Sequence, residues 1–230
     1  MRTKLGLDVR RFNDDLYELA RRACCDDSEG VRSNVFAIAD ILVNLYRKNL
    51  VKVNHSALEL VCARALIKQG YEVKVEHRLD KILVCDVMGS RKDERLIVEI
   101  ETGFIPPEAA LEPSRYARNR ISSKIVRYSR YADKFALGTT PSYTLDVPRF
   151  FVKPPRKRTR EEAAKIKTLI DVTPDGPEIS VDGLVQATLH TVFVIDVDSA
   201  NVQEIDAEVY ERMAMSVLDW HRTAQCLNPR

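Results

Sequence analysis

The chain has 230 residues, of which 45% are hydrophobic and 30% charged, and its formal net charge at pH 7 is +2. This composition is typical of a soluble globular protein that is large enough to bury a sizeable core. No apolar stretch approaches the ~20 residues that span a bilayer, and the N-terminal residues lack the apolar segment of a secretory signal. We therefore expect a cytoplasmic protein that does not associate with membranes.

The pattern of cysteines and histidines argues against both a disulfide-stabilised fold and a structural zinc site. The five cysteines are odd in number and none stands in a C-x-x-C spacing, which argues against a disulfide framework and a structural zinc site. The four histidines are scattered. His55 and His77 flank the acidic residues described below, but neither has a paired ligand in the sequence, so we interpret both as structural.

The first third of the chain is predicted to be helical. Apolar residues recur at helical spacing over 8–24 and 31–48. A third helix is expected to begin near Asn54 or Ser56 and to end at Gln69, because Gly70 is a favoured C-terminal stop.

In the middle of the chain, the spacing of apolar residues changes from helical to the pattern of β-strands. Residues 71–79, 81–89 and 94–103 predict a three-stranded meander, with a polar turn over 89–93. A basic helix over 107–132 and a strand over 134–141 follow, and a helical crossover of this kind allows the fourth strand to lie parallel to the third.

Residues 152–158 are basic and proline-rich and are predicted to form a linker to a C-terminal extension. Thr159 and Glu162 predict a capping box at the start of a short helix. A buried strand over 189–198 and a final helix over 204–222 follow. We divide the chain into an N-terminal helical region (1–50), an α/β core (51–150) and a C-terminal α/β extension packed on the core (151–230).

Two acids stand one residue apart in the third predicted strand. Because side chains alternate along a strand, Glu99 and Glu101 share one face, about 7 Å apart, while Val98 and Ile100 point to the other face. The acids predict either a solvated strand face or a metal site.

Asp86 and Glu59 are the other acids that such a site would use. Asp86 is isolated among apolar residues, where a carboxylate is costly unless it is paired or metal-bound. In a simple hairpin with its turn at 89–93, Asp86 lies near the turn and Glu99 far from it, so a bulge or a shifted register would be needed to join them. Glu59 either supports the site or closes a capping box with Ser56, and its spacing from Ser56 favours the cap.

This ordered set resembles the PD-(D/E)XK nuclease superfamily over roughly residues 54–141. The resemblance implies an α/β, restriction-endonuclease-like fold, in which a mixed sheet is flanked by helices. It also implies a Mg²⁺ (or Mn²⁺) ion bound by Asp86, Glu99 and the backbone carbonyl of Ile100, with Glu59 as the supporting helix glutamate. An oxygen-only ligand set likewise favours Mg²⁺ or Mn²⁺ over Zn²⁺.

One position departs from the family pattern. Glu101 stands where the family has lysine, and it is expected to orient or deprotonate water or to bind the metal. Lys124, in the basic helix, is a candidate for a relocated lysine. Arg120, Lys124 and Arg127 equally fit a stripe that contacts phosphates or is only solvated.

The expected function is that of a metal-dependent phosphodiesterase or endonuclease acting on DNA, with a homodimer as a further expectation from the resemblance. Basic blocks over 113–132 and 149–160 each hold six basic residues and no acid, as a polyanionic partner would require. Two alternatives stay open. One is a catalytically inactive relative that binds nucleic acid or a protein partner, and the other is an unrelated α/β interaction protein with a solvated acidic strand.

Overall fold

A computed structural model describes residues 4–51, 53–170 and 179–227. Its centre is a six-stranded sheet whose strands follow one another in chain order. The strands are β1 (Glu72–Arg78), β2 (Val84–Arg91), β3 (Glu94–Glu101), β4 (Lys134–Thr139), β5 (Thr191–Asp196) and β6 (Asn201–Asp206). β1, β2 and β3 are antiparallel, β3, β4 and β5 are parallel, and β6 is antiparallel to β5. The predicted α/β class and the parallel pairing of the third and fourth strands are confirmed.

Helices cover both faces of this sheet. They are α1 (Lys4–Ala23), α2 (Glu29–Arg47), α3 (Val53–Lys68), α4 (Pro113–Tyr128), α5 (Arg160–Ile170), α6 (Val181–Gln186) and α7 (Ala207–Leu227). The helix predicted over 107–132 is shorter than expected, because α4 starts at Pro113 and only single 3₁₀ turns lie on either side of it. Proline is favoured at the first position of a helix and disfavoured inside one, which explains this start.

Alternation along the strands divides the core between the two faces. Val98 and Ile100 of β3 belong to the cluster that packs under α1, α2 and α3. Ile97, which precedes Val98 and points to the opposite face, belongs to the cluster formed with Ile121 and Ile125 of α4. Glu99 and Glu101 follow Ile97 on the α4 side of the sheet, so the predicted separation of acidic and apolar faces is confirmed.

The hairpin between β2 and β3 differs from the prediction. The ladder continues to the pair Arg91–Glu94, which leaves only Lys92 and Asp93 as the turn. Lys92 adopts a φ of 53°, as tight two-residue hairpin turns require. The expected broad turn over 89–93 is therefore wrong, and with it the expectation that Asp86 and Glu99 lie far apart.

The C-terminal segment continues the same sheet. The predicted strand over 189–198 is β5, and the capping box is confirmed, since Thr159 and Glu162 exchange side-chain to backbone hydrogen bonds of 3.1 Å. β6 and α6 were not predicted, because β6 is a mostly polar edge strand and α6 has only six residues. The predicted start of the final helix at 204 is wrong, because 204–206 belong to β6 and α7 begins at Ala207. Among the described residues, no helix is both long and apolar enough to cross a membrane.

Candidate metal centre

The two acids of β3 are buried rather than solvated. Glu99 is 2% exposed and Glu101 is 4% exposed, because α4 lies over this face of the strand. Carboxylates are rarely buried unless they are paired or bind a metal. The interpretation of the acidic strand as an ordinary solvated face is therefore wrong.

Asp86 and Glu99 meet across the β2–β3 hairpin. The ladder ends at the pair Val87–Val98, so the next two residues, Asp86 and Glu99, stand opposite each other. The backbone N–H of Asp86 donates to Glu99 Oε1 at 3.1 Å, and the backbone N–H of Ile100 donates to Asp86 Oδ2 at 2.6 Å. Side-chain carboxylates thus replace the backbone acceptors of a regular ladder, and both are held by the strands themselves.

β1 is irregular at the same level. Its ladder with β2 pairs Val75 with Val87 and His77 with Cys85 but skips Glu76 and Asp86. Glu76 has a φ of 46°, which is uncommon for a residue with a side chain. The irregularity disturbs the pleat next to Asp86, as bulges near functional sites commonly do.

Lys124 of α4 reaches the point where these acids converge. Its Nζ lies 3.2 Å from Glu99 Oε2, 3.0 Å from Glu101 Oε1 and 3.7 Å from Asp86 Oδ2, and it donates to the carbonyl of Ile100 at 2.9 Å. Burial disfavours the charged amine, but the three carboxylates outweigh burial and raise the pKa of Lys124. The side chain is therefore an ammonium ion surrounded by oxygen atoms.

Arg120, one turn earlier on α4, binds the outer carboxylate. Its Nε donates to Glu101 Oε1 at 2.8 Å. Burial acts to raise the pKa of Glu101, but Lys124 and Arg120 together hold that pKa below its ordinary value. Glu101 is consequently ionised over the neutral pH range.

The carboxyl groups of Glu99 and Glu76 have raised pKa values, in contrast to the lowered pKa of Glu101. Burial, and then the negative charge of Asp86, raises the pKa of Glu99 to about 8. The same two causes raise the pKa of Glu76 to about 7. Without a further cation, burial and the charge of Asp86 therefore favour the protonated form of both carboxyl groups, and such perturbed groups are common at proton-transfer and metal sites.

Glu59 completes the acidic group from the α3 side. The capping-box interpretation is wrong, because α3 begins at Val53 and Glu59 lies in its second turn. Glu59 is 0% exposed, and neither carboxylate oxygen has a hydrogen-bond partner among the described residues. Burial and the nearby acids raise the pKa of Glu59 well above its ordinary value.

His55 belongs to the site, contrary to the expectation that it is only structural. One ring nitrogen of His55 and one oxygen each of Glu59 and Asp86 all lie within 4.8 Å of one another. Burial lowers the pKa of His55, so the imidazole is neutral and free to bind a metal at neutral pH. The four-residue spacing of His55 and Glu59, which puts both on one face of a helix, was the signal in the sequence.

Arg127 lies apart from the rest of the predicted basic stripe. It lines a cavity between α4 and α6 together with Arg130, Ser180 and Gly183. The structure thus brings together Glu59, Asp86, Glu99, Glu101, Arg120 and Lys124, and it adds His55 and Glu76.

The donor set fits a divalent cation. Oxygens of Asp86, Glu99 and the Ile100 carbonyl converge on the Nζ of Lys124, so a metal ion held by all three would displace that ammonium group, and oxygen ligands suit Mg²⁺ and Mn²⁺. Glu59 brings a further buried oxygen that lacks a partner among the described residues. No family model, curated protein or solved structure matches this chain.

Proposed function

We propose that this protein is a metal-dependent nuclease of the PD-(D/E)XK type that hydrolyses phosphodiester bonds in DNA. The observation that carries the proposal is the convergence of Asp86, Glu99 and the Ile100 carbonyl with the ammonium group of Lys124. Acidic oxygens that bind a cation, beside a fixed positive donor, are what phosphoryl chemistry needs.

The order of elements supports the family assignment. The succession α3, β1, β2, β3, α4 and β4, with β3 parallel to β4, is the order that the sequence resemblance implies. The lysine that the family carries at the position of Glu101 has a counterpart in Lys124, whose Nζ lies 3.0 Å from Glu101 Oε1. A relocated lysine accounts for the departure of this chain from the family pattern.

In this proposal, some residues of the site stabilise charge and others position the reacting groups. A divalent ion at Asp86 and Glu99 would neutralise charge on the phosphate and supply an activated water. Lys124 keeps its proton and can donate to a phosphate oxygen or orient the attacking water. Glu101, whose pKa is depressed, is too weak a base to favour proton transfer and instead holds Lys124 and Arg120 in place.

A second candidate function is that of a catalytically inactive nuclease-fold protein that binds nucleic acid. One observation favours it. Lys124 already stands at the point where the oxygen ligands converge, within 3.7 Å of all three carboxylates. An internal ammonium ion at this point neutralises the acids without a metal, which is sufficient for a protein that only binds DNA.

Cleavage of a panel of labelled DNA substrates (duplex, single strand, flap and junction) tests the proposal. The reactions contain Mg²⁺, Mn²⁺ or EDTA, and wild type is compared with Glu99→Gln. The matched control is Glu72→Gln, an acid of the same sheet, on strand β1, whose side chain is 77% exposed. We expect metal-dependent cleavage by the wild type and the control, and a loss of at least about 100-fold in Glu99→Gln, as for other essential catalytic groups.

The other outcomes separate the two candidates. A folded wild type that shifts DNA in a gel but leaves it intact with either metal would establish the inactive nucleic-acid-binding function. A protein that neither binds nor cleaves any of the substrates would overturn both. Equal cleavage by Glu99→Gln and wild type would show that the activity arises elsewhere.

A further inference from the structure

A cavity of about 170 Å³ lies between the end of α4 and the short helix α6, and it shares no lining residue with the acidic centre. Among the described residues that line it, none is acidic. Its polar lining consists of two arginines and three uncharged side chains, which are Arg127, Arg130, Ser129, Ser180 and Gln186. This composition indicates a preference for an anion.

Arg127 differs from the other basic residues of its segment. Five basic side chains between residues 113 and 132 each have a carboxylate oxygen within 3.8 Å, namely Arg115, Arg118, Arg120, Lys124 and Arg130. Arg127 has no ion pair and no hydrogen bond among the described residues, although its Nε is buried. The positive charge of Arg127 is therefore not compensated by the fold.

The position of Arg127 on its helix explains only part of this. Arg127 lies in the last turn of α4, where a cation interacts favourably with the helix dipole. The dipole accounts for a positive charge, but it leaves the buried Nε–H without an acceptor. A buried donor without a partner loses its hydrogen bond to water and gains none in return. A ligand in the cavity that accepts from Nε would remove this cost.

Arg130 and Ser180 add further donors to the cavity. Arg130 Nη2 donates to Tyr131 Oη at 2.8 Å and lies 3.8 Å from Asp80 Oδ2. The side chain of Arg130 is 58% exposed, so its guanidinium group can turn toward the cavity without breaking a buried contact. Ser180 Oγ accepts from the Gly183 N–H at 3.0 Å, which leaves its hydroxyl hydrogen to donate. Guanidinium groups and hydroxyls are donors that suit phosphate oxygens.

A third arginine stands behind the wall of the cavity. Arg158 is buried and donates to the carbonyls of Val185 at 2.7 Å and Ala187 at 2.5 Å, and Ala187 lines the cavity. Burial lowers the pKa of Arg158 to about 10, so the group keeps its charge at neutral pH. None of the described carboxylates pairs with it. The positive charge behind the wall therefore adds to the attraction for an anion.

We propose that this cavity binds a terminal phosphate group, which is the phosphomonoester of a nucleotide or of a nucleic-acid end, and that Arg127 is the residue that holds it. The charge favours a monoester, because a monoester carries about −1.5 to −2 at pH 7 and two guanidinium groups balance it. A phosphodiester within a strand carries only one negative charge. The cavity shares no residue with the acidic centre, so the inference does not depend on the proposed nuclease function.

Binding of inorganic phosphate to the full-length protein tests the inference. Calorimetric titration measures affinity, and thermal unfolding is compared in phosphate and in chloride at equal ionic strength and pH. The variants are Arg127→Gln and Arg130→Gln, and the matched control is Arg115→Gln, on the same helix, whose side chain is 49% exposed and paired with Glu112. We expect phosphate to bind and stabilise wild type and the control. Arg127→Gln should bind phosphate roughly tenfold or more weakly, as the loss of charge-assisted hydrogen bonds implies, and should keep its stability in chloride.

Two pairs of probes identify the source of the phosphate group. Deoxyadenosine monophosphate is compared with deoxyadenosine, and a 5′-phosphorylated oligonucleotide with the unphosphorylated one, both in EDTA to prevent cleavage. A preference for the phosphorylated member that Arg127→Gln loses supports the site, and the pair that shows it identifies the source.

The opposite results would overturn the proposal. Equal affinities within both pairs would do so, as would phosphate binding that both arginine variants retain. An Arg127→Gln protein that is less stable than wild type in chloride but binds phosphate equally well would assign Arg127 to the fold instead. If Arg127→Gln does not fold, Arg130→Gln decides, because its exposed side chain can be replaced without loss of packing.

Discussion

Asp86 and Glu99 stand opposite each other at the end of the β2–β3 ladder, and each carboxylate accepts a hydrogen bond from the backbone of the other strand. Asp86 N–H donates to Glu99 at 3.1 Å, and Ile100 N–H donates to Asp86 at 2.6 Å. The acids thus hold the two strands together where the regular ladder stops. The same oxygens face Lys124, so one pair of residues serves both the fold and the site.

Asp86→Ala and Asp86→Asn separate these two roles. Both variants should lose metal binding, because both lose the charge. Asp86→Ala should also lower the free energy of unfolding by about 1–3 kcal/mol relative to Asp86→Asn, since alanine leaves the buried Ile100 N–H without an acceptor. Urea denaturation of the metal-free proteins measures the difference, and equal stabilities would show that this hydrogen bond does not support the hairpin.

Lys124→Met should destabilise the metal-free protein strongly. The variant leaves Glu99 and Asp86 without their internal cation, and breaking a buried ion pair typically costs about 3–5 kcal/mol. Lys74→Met is the control, because the Lys74 side chain is 53% exposed and lies 4.0 Å from Glu72, so a change under about 0.5 kcal/mol is expected. Thermal unfolding measures both variants, and added Mn²⁺ should restore part of the lost stability of Lys124→Met by binding the folded state. A Lys124→Met protein as stable as wild type would show that the ammonium group is not needed to balance the acids.

Glu59→Leu should increase stability and remove metal binding together. An apolar side chain of similar size removes a buried carboxyl group that has no partner among the described residues, so the metal-free variant should gain about 1 kcal/mol or more. Glu72→Leu, at an exposed position, should gain nothing. Differential scanning calorimetry with and without Mn²⁺ measures both effects. A Glu59→Leu protein that is less stable than wild type would mean that the carboxyl group has a structural role.

Acid sensitivity should arise in part from an ion pair far from the site. The side chain of Asp27 is 2% exposed and binds Arg64 at 2.6 Å and Lys68 at 2.8 Å, both on α3. Burial acts against the charge of Asp27, but its two partners prevail and lower its pKa below the ordinary 3.8. Since the unfolded chain takes up this proton first, the stability from Asp27 is present above pH ~4 and is lost as the pH falls through the folded-state pKa.

Asp27→Asn should therefore reduce the fall in stability below pH ~4, and it should lower stability at neutral pH by about 3 kcal/mol. Asp15→Asn is the control, because Asp15 is 72% exposed and lies 3.8 Å from Arg11. Denaturant unfolding over a pH series measures both. Parallel pH profiles for Asp27→Asn and wild type would contradict the assignment.

Gly103→Ala should disturb the end of β3. Gly103 has a φ of +78°, and a β-carbon there would lie 2.6 Å from the ring of Tyr143. The left-handed backbone alone costs an alanine about 1–2 kcal/mol, and the ring must also move. Gly30→Ala is the control, because no atom lies within 4 Å of the added carbon and α2 gains a better helix former, worth about 0.5–1 kcal/mol. Thermal denaturation should move in opposite directions for the two variants, and a neutral Gly103→Ala would show that Tyr143 moves aside freely.

Local patterns in the sequence predicted most elements correctly. Helical spacing predicted α1, α2 and α3, and Gly70, with a φ of 84°, follows the end of α3 as expected. Alternation placed Glu99 and Glu101 on one face of β3 and Val98 and Ile100 on the other. These features are local, because the geometry of one helix or strand determines which of its own residues share a face.

Contacts between elements were decided only in the tertiary structure. Asp86 meets Glu99 because the hairpin turn has two residues, and a different turn length would have changed every pair in the ladder. Lys124 reaches the acids only because α4 packs over β3, and His55 joins Asp86 only because α3 packs against β2. The residue types of the site were visible in the sequence. Their distances depend on how whole elements pack, which no local pattern encodes.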